Sequence, residues 1–348
     1  MENITTTHIV TDANSPDYPF LLAFYKLVSH YLWVIPVAIG VPGNIIAILV
    51  TNRRHNRGLS ACIYMKAMAI ADTLVLIQYA FALPIMYWDI GKSIVHMRDV
   101  FFIFHHFVAY TYAMLSGFFL TEMSVDRLIA VRFPMATTRL CTASRAVKTV
   151  IITTVLVVLY NIQIPFVMAY FRDSETGAEA LVFHVPEYPF AALLASLGQT
   201  LLGTFIPFVI ILGSNIIIII TVKIASEKRA QMRTGQGQVE TNQKQEQHLT
   251  RMLIFVSCAY AVTSLPFRLF IMLLDVPAIG DMYDMENIYW NLRYTIQAFF
   301  LLIIWMFNYA VNFYLYCIGG GAKYRNDAKE VCKPLISCFT KLEKAKGN

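Results

Sequence analysis

Apolar residues are concentrated in seven stretches of some 23 to 33 residues, separated by polar connections. Each stretch is long enough to cross the roughly 30 Å hydrocarbon core of a bilayer as a helix. Continuous apolar runs such as Ile216 to Ile220 leave no solvated face, and the stretches do not alternate as the strands of a membrane barrel would. The pattern predicts an all-α membrane protein, a seven-transmembrane helix bundle, with segments at 28–51, 61–85, 100–125, 147–170, 190–222, 252–274 and 294–318.

The ends of the chain are more polar than the segments between them. Residues 1–27 are expected to be an extracellular N-terminal segment, 28–318 the bundle and 319–348 a cytoplasmic tail with a short amphipathic helix. Cys332 and Cys338 lie close to this amphipathic stretch, a position that suits palmitoylation, with two unmodified thiols as the alternative. The seven segments leave no room for a second domain.

Composition agrees with a membrane protein. Hydrophobic residues make up 57% and charged residues 14%, against about 25% charged in an ordinary globular chain. Of the 28 Lys and Arg residues, 22 fall in three alternate connections and the tail. The positive-inside rule therefore places the N-terminus outside. The same distribution explains the net charge of +6 without a nucleic-acid partner.

The outer side is acidic. It carries 13 of the 22 Asp and Glu residues and five basic residues, a formal charge of −8. Such a surface would concentrate cationic ligands, for example a basic amidated peptide. The alternative is that acidic loops merely complement the basic inner side. Asn3 begins an N-glycosylation acceptor on this side, and segment one is expected to serve as the signal anchor.

Polar residues within the segments indicate a buried site. An ionised side chain at mid-bilayer costs about 2.5–3.5 kcal/mol or more, so Asp72 in segment two needs partners. Ser116 of segment three and Asn308 and Asn312 of segment seven could provide them in one small pocket. Carboxylate, hydroxyl and amide oxygens suit Na⁺. A hydrogen-bonded polar core that holds the helices together is the alternative.

Several motifs occur in order along the chain at matching depths in the predicted membrane. They are Gly43-Asn44, Ala71-Asp72, Asp126-Arg127-Leu128, Pro207, Pro266 and the run from Asn312 to Tyr316. With them the chain resembles the rhodopsin-like (class A) G-protein-coupled receptors over nearly its whole length. The resemblance implies a multi-pass plasma-membrane receptor whose partners are an extracellular agonist, a heterotrimeric G protein, arrestin and membrane lipid. It also implies that Asp72, Ser116, Asn308 and Asn312 form a sodium site, and no cofactor other than this ion is expected.

The resemblance further implies a switch at the inner face. Asp126, Arg127 and Tyr316 fall on its positions, and Glu246 matches the acid that pairs with the arginine in many relatives. A solvated charge in a glycine-containing linker is the alternative for Glu246. Activation would move segment six outward and open a crevice for the G protein.

The chain departs from the family pattern at several positions. Phe102 stands where the outer disulfide has a cysteine, and none of the six cysteines lies in a predicted outer loop. Ser264 replaces a tryptophan of segment six, and Phe313 replaces the proline of segment seven. Segment four lacks its usual tryptophan, and Asn215 stands where a tyrosine is common. These changes affect the usual relay between the ligand pocket and the inner face.

The ligand class is narrowed by two further positions. Met306 stands where opsins need a retinal-binding lysine, and Ala109 where aminergic receptors need an aspartate. The sequences around Asp126, Pro266 and Phe313 resemble invertebrate neuropeptide receptors of the FMRFamide-like kind. The residues expected to line the outer half of the bundle are Ala109, Tyr112, Ser264, Phe267 and Arg268.

Arg268 would share one helix face with Tyr260 and Ser264. It is expected to contact a ligand carbonyl or carboxylate or trapped water, with snorkelling to the outer interface as the alternative. His105 and His106 are adjacent on a helix and face different directions, so this pair alone does not indicate a metal site.

The predicted function is that of a receptor that converts the binding of an extracellular ligand, in the first place a neuropeptide, into G-protein activation. The first alternative is a chemosensory receptor for a non-peptide small molecule. A channel or transporter is less favoured, because the chain shows no inverted repeat and no matching pair of broken helices. An enzyme is not indicated, since Asp72 has no acidic neighbour at its depth.

Overall fold

The computed structural model describes residues 16–87, 95–167, 169–172, 179–182, 197–231, 239–274 and 288–346. Within them, seven long helices follow one another in the order of the seven predicted segments, so the predicted all-α membrane fold is confirmed. Helix α1 comprises Tyr18–Leu27, a π-helical turn at Val28–Leu32 and Val34–Thr51, and the next three helices are α2 (Ser60–Tyr87), α3 (Val95–Arg132) and α4 (Ala143–Asn161).

The remaining helices complete the bundle. Helix α5 is helical from Leu197, passes through a π-helical turn at Leu201–Phe205 and continues as Ile206–Gln231. Helix α5 is followed by α6 (Val239–Leu274), α7 (Ile288–Ala310 and Asn312–Gly319) and α8 (Gly321–Lys346). Two short helices, Pro134–Leu140 and Ile164–Val167, lie before and after α4 in the chain.

A short antiparallel hairpin follows α4. Strand β1 (Ala169–Arg172) pairs with β2 (Glu179–Val182), with Ala169 opposite Val182 and Arg172 opposite Glu179. The prediction that segment four continues as a helix to residue 170 is therefore wrong at its end. Hydropathy alone cannot separate a short strand from the last turn of an apolar helix.

Most of the long helices are individually suited to a membrane. Five of them are long and apolar enough to span it, and the two parts of α7 reach this criterion together. Among the described residues, α3 is the long span that does not meet it. This helix contacts α2, α4 and α5, and Ala109, Ala113, Leu115 and Phe119 are all buried. Because its neighbours shield it from lipid, α3 can carry more polar residues than an exposed span.

Several helices extend further than hydropathy indicates. Helix α1 begins at Tyr18, so ten residues of the predicted N-terminal segment are helical. Helix α6 begins at Val239, well before the predicted start at 252, through a polar stretch that contains three Gln and two Glu residues. These residue types form helices well in water, and hydropathy marks only the part of a helix that lies in lipid. Helix α8, with 26 residues, is likewise longer than the predicted short helix.

Helix α7 bends by 50° between its two parts although Phe313 replaces the usual proline. At the bend, Asn44 of α1 donates a hydrogen bond from Nδ2 to the carbonyl oxygen of Tyr309 at 2.9 Å. In an uninterrupted helix this oxygen would accept from the amide of Phe313. A side chain that enters the helical hydrogen-bond ladder is a known cause of bending. The bend is therefore held by contacts between α1 and α7.

Gly40 permits this close approach, and its replacement by alanine is expected to destabilise the bundle. A Cβ atom at Gly40 would lie 2.7 Å from Cα of Ala310 and would also clash with Cδ1 of Leu76. Since Ala310 presents backbone, α7 would have to shift, at a cost of about 1–3 kcal/mol. The midpoint of thermal unfolding of the purified protein should fall. Gly213→Ala is the matched control, because nothing lies within 4 Å of its Cβ position. An unchanged midpoint for Gly40→Ala would contradict the close packing described.

Candidate functional site

Asp72 lies at the centre of a small polar cluster in the middle of the bundle. Its side chain is 0% exposed. Ser116 of α3 donates to its Oδ1 at 2.5 Å, and Asn312 of α7 donates to its Oδ2 at 2.8 Å. Three helices thus meet at one carboxylate, and each of its oxygens accepts one hydrogen bond. Such hydrogen bonds offset part of the cost of burying the acid.

The structure brings Asp72 together with two of its three predicted partners, Ser116 and Asn312. Asn308 is buried one turn above Asn312, but its Oδ1 accepts from Oγ1 of Thr263 on α6 at 3.4 Å. It therefore connects α7 to α6, a contact absent from the sequence prediction. The donor set of carboxylate, hydroxyl and amide groups is chemically suited to a small hard cation. Whether Na⁺ binds there stays a prediction.

Arg268 occupies the outer half of the bundle in an unusual setting. It is 7% exposed, and its guanidinium carbon lies 5.3 Å from the ring centre of Tyr110 and 5.2 Å from that of Trp305. Its Nε is buried without a hydrogen-bond acceptor among the described residues. The expectation that Arg268 faces the interior with Tyr260 and Ser264 is confirmed, since all three are buried. Snorkelling to the interface, the alternative, is wrong for this residue.

Trp305, one of the two rings next to Arg268, belongs to a larger group of aromatic side chains. Trp305 contacts Phe267, Tyr79 and Tyr309, with ring centres 5.4, 5.9 and 4.9 Å apart respectively. The remaining predicted lining residues lie nearby on α3 and α6. Ala109 is buried, Tyr112 is half-buried, and the hydroxyl of Ser264 is buried with no partner in the part of the chain that the structure describes.

Sequence reasoning missed Tyr110, Trp305 and Tyr79. A usable signal existed for two of them. Tyr79 follows Asp72 by seven residues, and Trp305 precedes Asn312 by seven, which is two helical turns in each case. On regular helices this spacing would place both aromatic residues on the same face as a residue of the polar cluster.

At the inner end of α3, Arg127 is held by two neighbouring side chains. Its Nη2 lies 2.5 Å from Oδ2 of Asp126 and donates to Oγ of Ser60 at 3.2 Å. Ser60 in turn donates to Oδ2 of Asp126 at 2.8 Å. The predicted neighbours Asp126 and Arg127 thus form a closed triangle with the first residue of α2. The sequence analysis did not identify Ser60. The depth of Ser60 relative to Arg127 depends on the path of the connection that precedes α2.

Other predicted switch residues lie on α6 and α7. Glu246 is on α6, but its side chain lies outside the described part of the structure, so its pairing with Arg127 stays a prediction. Tyr316 is fully buried, and its ring contacts that of Tyr324 on α8 at 6.0 Å. A Cβ atom at Gly319 would lie 2.5 Å from Cα of Met252. The inner ends of α6 and α7 are therefore in direct contact.

Helix α8 is fixed to the first inner connection by an ionic cluster that sequence reasoning also missed. Asp327 lies 3.5 Å from Nε of Arg53 and 2.9 Å from Nε2 of His55. Asn56 donates to the same carboxylate at 3.3 Å. Cys332 is half-buried on α8, whereas the side chain of Cys338 and the whole of Asn3 lie outside the described residues.

The seven helices, with a polar cluster at their centre and a charged cluster at one end, define a multi-pass membrane protein of the helix-bundle class. Residues 43–316 match the 7 transmembrane receptor (rhodopsin family). The chain belongs to this family, as the sequence motifs predict.

Three relatives illustrate the similarity. The thyrotropin-releasing hormone receptor of Gallus gallus is 33% identical over 133 residues, 38% of this chain and 33% of the relative. Somatostatin receptor type 2 of Mus musculus is 25% identical over 275 residues, 75% of this chain and 70% of the relative. The cysteinyl leukotriene receptor 1 of Sus scrofa is 24% identical over 250 residues, which are 71% of this chain and 68% of the relative. The match thus spans about one third of the first relative and more than two thirds of the other two.

Proposed function

We propose that the protein is a plasma-membrane receptor that binds an extracellular peptide and activates a heterotrimeric G protein. The observation that carries the proposal is membership of the rhodopsin family together with similarity to receptors named for thyrotropin-releasing hormone and somatostatin, both peptide hormones. The distribution of Lys and Arg supports an extracellular N-terminus and a cytoplasmic tail.

One helix runs through all three side-chain clusters of the bundle. Helix α3 contributes Tyr110 to the outer aromatic cluster, Ser116 to the Asp72 cluster and Arg127 to the inner charged cluster. The 17 residues from Tyr110 to Arg127 span about 25 Å at 1.5 Å per residue. A shift of this rigid element would therefore act on the ligand end and the G-protein end together.

The proposal is tested by expressing the full chain, with an N-terminal epitope tag, in cells that report G-protein dissociation. A panel of short peptides, each in free-acid and carboxamide form, is compared with a panel of non-peptide metabolites. A saturable response to a peptide is the expected result. Cells without the receptor provide the control. A response confined to non-peptide compounds would overturn the peptide assignment while leaving the receptor class intact.

A chemosensory receptor for a small molecule is the second candidate. It is favoured by the similarity to cysteinyl leukotriene receptor 1 over 71% of this chain. The fold and the inner switch would be the same, so the two candidates differ only in the ligand. The resemblance to FMRFamide-like receptors remains a prediction within the peptide assignment, and the same panel tests it when FMRFamide-like peptides are included.

Glu246→Ala is expected to raise signalling in the absence of agonist. In the proposed resting state Glu246 pairs with Arg127 and holds the inner ends of α3 and α6 together. A partly desolvated pair of this kind contributes about 1–3 kcal/mol, which shifts a two-state equilibrium about five- to 150-fold. Basal G-protein activation is measured at matched surface levels. Glu240→Ala, six residues earlier on α6, is the control and should leave it unchanged. Equal basal activity of the Glu246 variant and the parent would place the lock elsewhere.

A further inference from the structure

We infer that Arg268 is the anion-binding end of the ligand site and that the most deeply inserted group of the ligand is a carboxylate. This inference rests on the proposed receptor function and specifies the chemistry of its ligand. It is carried by the guanidinium between Tyr110 and Trp305, which has no anionic partner among the described residues.

The aromatic rings stabilise the positive charge of Arg268 but do not accept hydrogen bonds from its N–H groups. A cation over the face of Tyr or Trp is stabilised by about 2 kcal/mol or more when water is excluded. The five N–H groups of a guanidinium, however, point outward in its own plane and need acceptors. The faces of the two rings supply no such acceptor, and Nε lacks an acceptor within the described chain. The edge of the guanidinium is therefore the part left for a ligand.

A carboxylate fits this edge better than a neutral carbonyl. Its two oxygens match two parallel N–H groups of the guanidinium, and it neutralises the charge in a region of low dielectric constant. A carbonyl dipole accepts hydrogen bonds but leaves the net charge buried. Asp72, the intramembrane acid on α2, accepts hydrogen bonds from Ser116 and Asn312 instead.

The charges of the outer side and of Arg268 have opposite signs. The predicted outer side, including the N-terminal segment, carries a formal charge of −8, whereas the buried arginine is positive. A ligand that satisfies both has a cationic part facing the outer surface and an anionic group at its inserted end. A basic peptide with a free C-terminal carboxylate has this arrangement, and the amidated form expected from the outer charge alone lacks it.

Two small probes isolate the charge of the inserted group. N-acetyl-L-phenylalanine and its carboxamide share a ring that suits an aromatic site, and only the first is an anion at neutral pH. Binding to the purified full-length protein is followed as the rise in its thermal unfolding midpoint with probe concentration. The acid is expected to stabilise the parent protein at lower concentrations than the amide. Equal stabilisation by the two probes would overturn the inference.

Variants then locate the effect. Arg268→Gln keeps N–H donors without charge and should weaken binding of the acid about tenfold or more, with little change for the amide. Arg268→Lys keeps the positive charge but lacks the paired N–H groups of the guanidinium, and it should weaken binding of the acid less than Arg268→Gln does. Arg251→Gln, the same change at an exposed position of α6, is the matched control. Retention of acid binding by Arg268→Gln would also overturn the inference. If that variant does not fold, the parent comparison and Arg268→Lys still decide the question.

This result is separable from the proposed function. Absence of any peptide response in the cell assay would contradict the peptide assignment, whatever the probes show. A peptide agonist that is equally potent as free acid and as amide would contradict the carboxylate subsite alone.

Discussion

Arg127→Ala is expected to abolish agonist-stimulated G-protein activation. The side chain lies at the inner end of α3, is 17% exposed, and is the cationic member of the triangle with Asp126 and Ser60. Alanine removes the charge that the G protein would meet when the inner ends separate. It also leaves the buried Asp126 with Ser60 as its remaining side-chain donor among the described residues.

The loss of signalling must be separated from the loss of folding. Removing one partner of a buried ion pair costs about 3–5 kcal/mol, so surface levels are expected to fall as well. G-protein dissociation is therefore measured in cells titrated to equal surface expression. Arg132→Ala, at an exposed position near the end of α3, is the control and should signal normally. A maximal response equal to that of the parent would show that Arg127 is not needed for coupling.

Asp72→Asn is expected to remove an effect of sodium on agonist binding. If Na⁺ binds Asp72 with Ser116 and Asn312, external sodium should stabilise the resting state and lower agonist affinity. Typical allosteric coupling of about 1–3 kcal/mol corresponds to a change of five- to 150-fold. Asparagine keeps the size of the side chain and one acceptor oxygen but lacks the charge that a cation requires.

Agonist affinity is compared in sodium chloride and in an organic-cation chloride of the same ionic strength. The parent should bind agonist more weakly in sodium, and the variant equally in both. Ser116→Ala should reduce the difference without removing it, because one neutral ligand is lost while the carboxylate remains. Sodium sensitivity that persists in Asp72→Asn would exclude this cluster as the cation site.

The polar cluster around Asp72 could be predicted because the free-energy cost of burying a carboxylate arises from that one residue. A buried carboxylate in an apolar helix requires partners, and few residues in the neighbouring segments could provide them. The same reasoning found Arg268 but missed the rings of Tyr110 and Trp305. With 24 Phe, 19 Tyr and 4 Trp, aromatic residues occur throughout the apolar segments, so a particular ring carries little information about the site.

Contacts formed by the connections could not be predicted. The pairing of Arg53 and His55 with Asp327 depends on how the first inner connection and α8 fold back beneath the bundle. Likewise, the hairpin that begins at Ala169 depends on pairing with residues 7 to 13 positions away. Hydropathy reports the solvent around a segment, whereas these contacts depend on tertiary geometry.

The bend in α7 also has a consequence for the order in which the protein assembles. A proline would bend this helix as soon as its backbone is made, because the missing N–H and the ring are properties of the residue itself. Here the bend depends on Asn44 and Gly40, which belong to the first helix of the chain. The seventh helix would therefore enter the bilayer nearly straight and bend on docking against the first. Completion of the bundle and shaping of its inner end are then the same event.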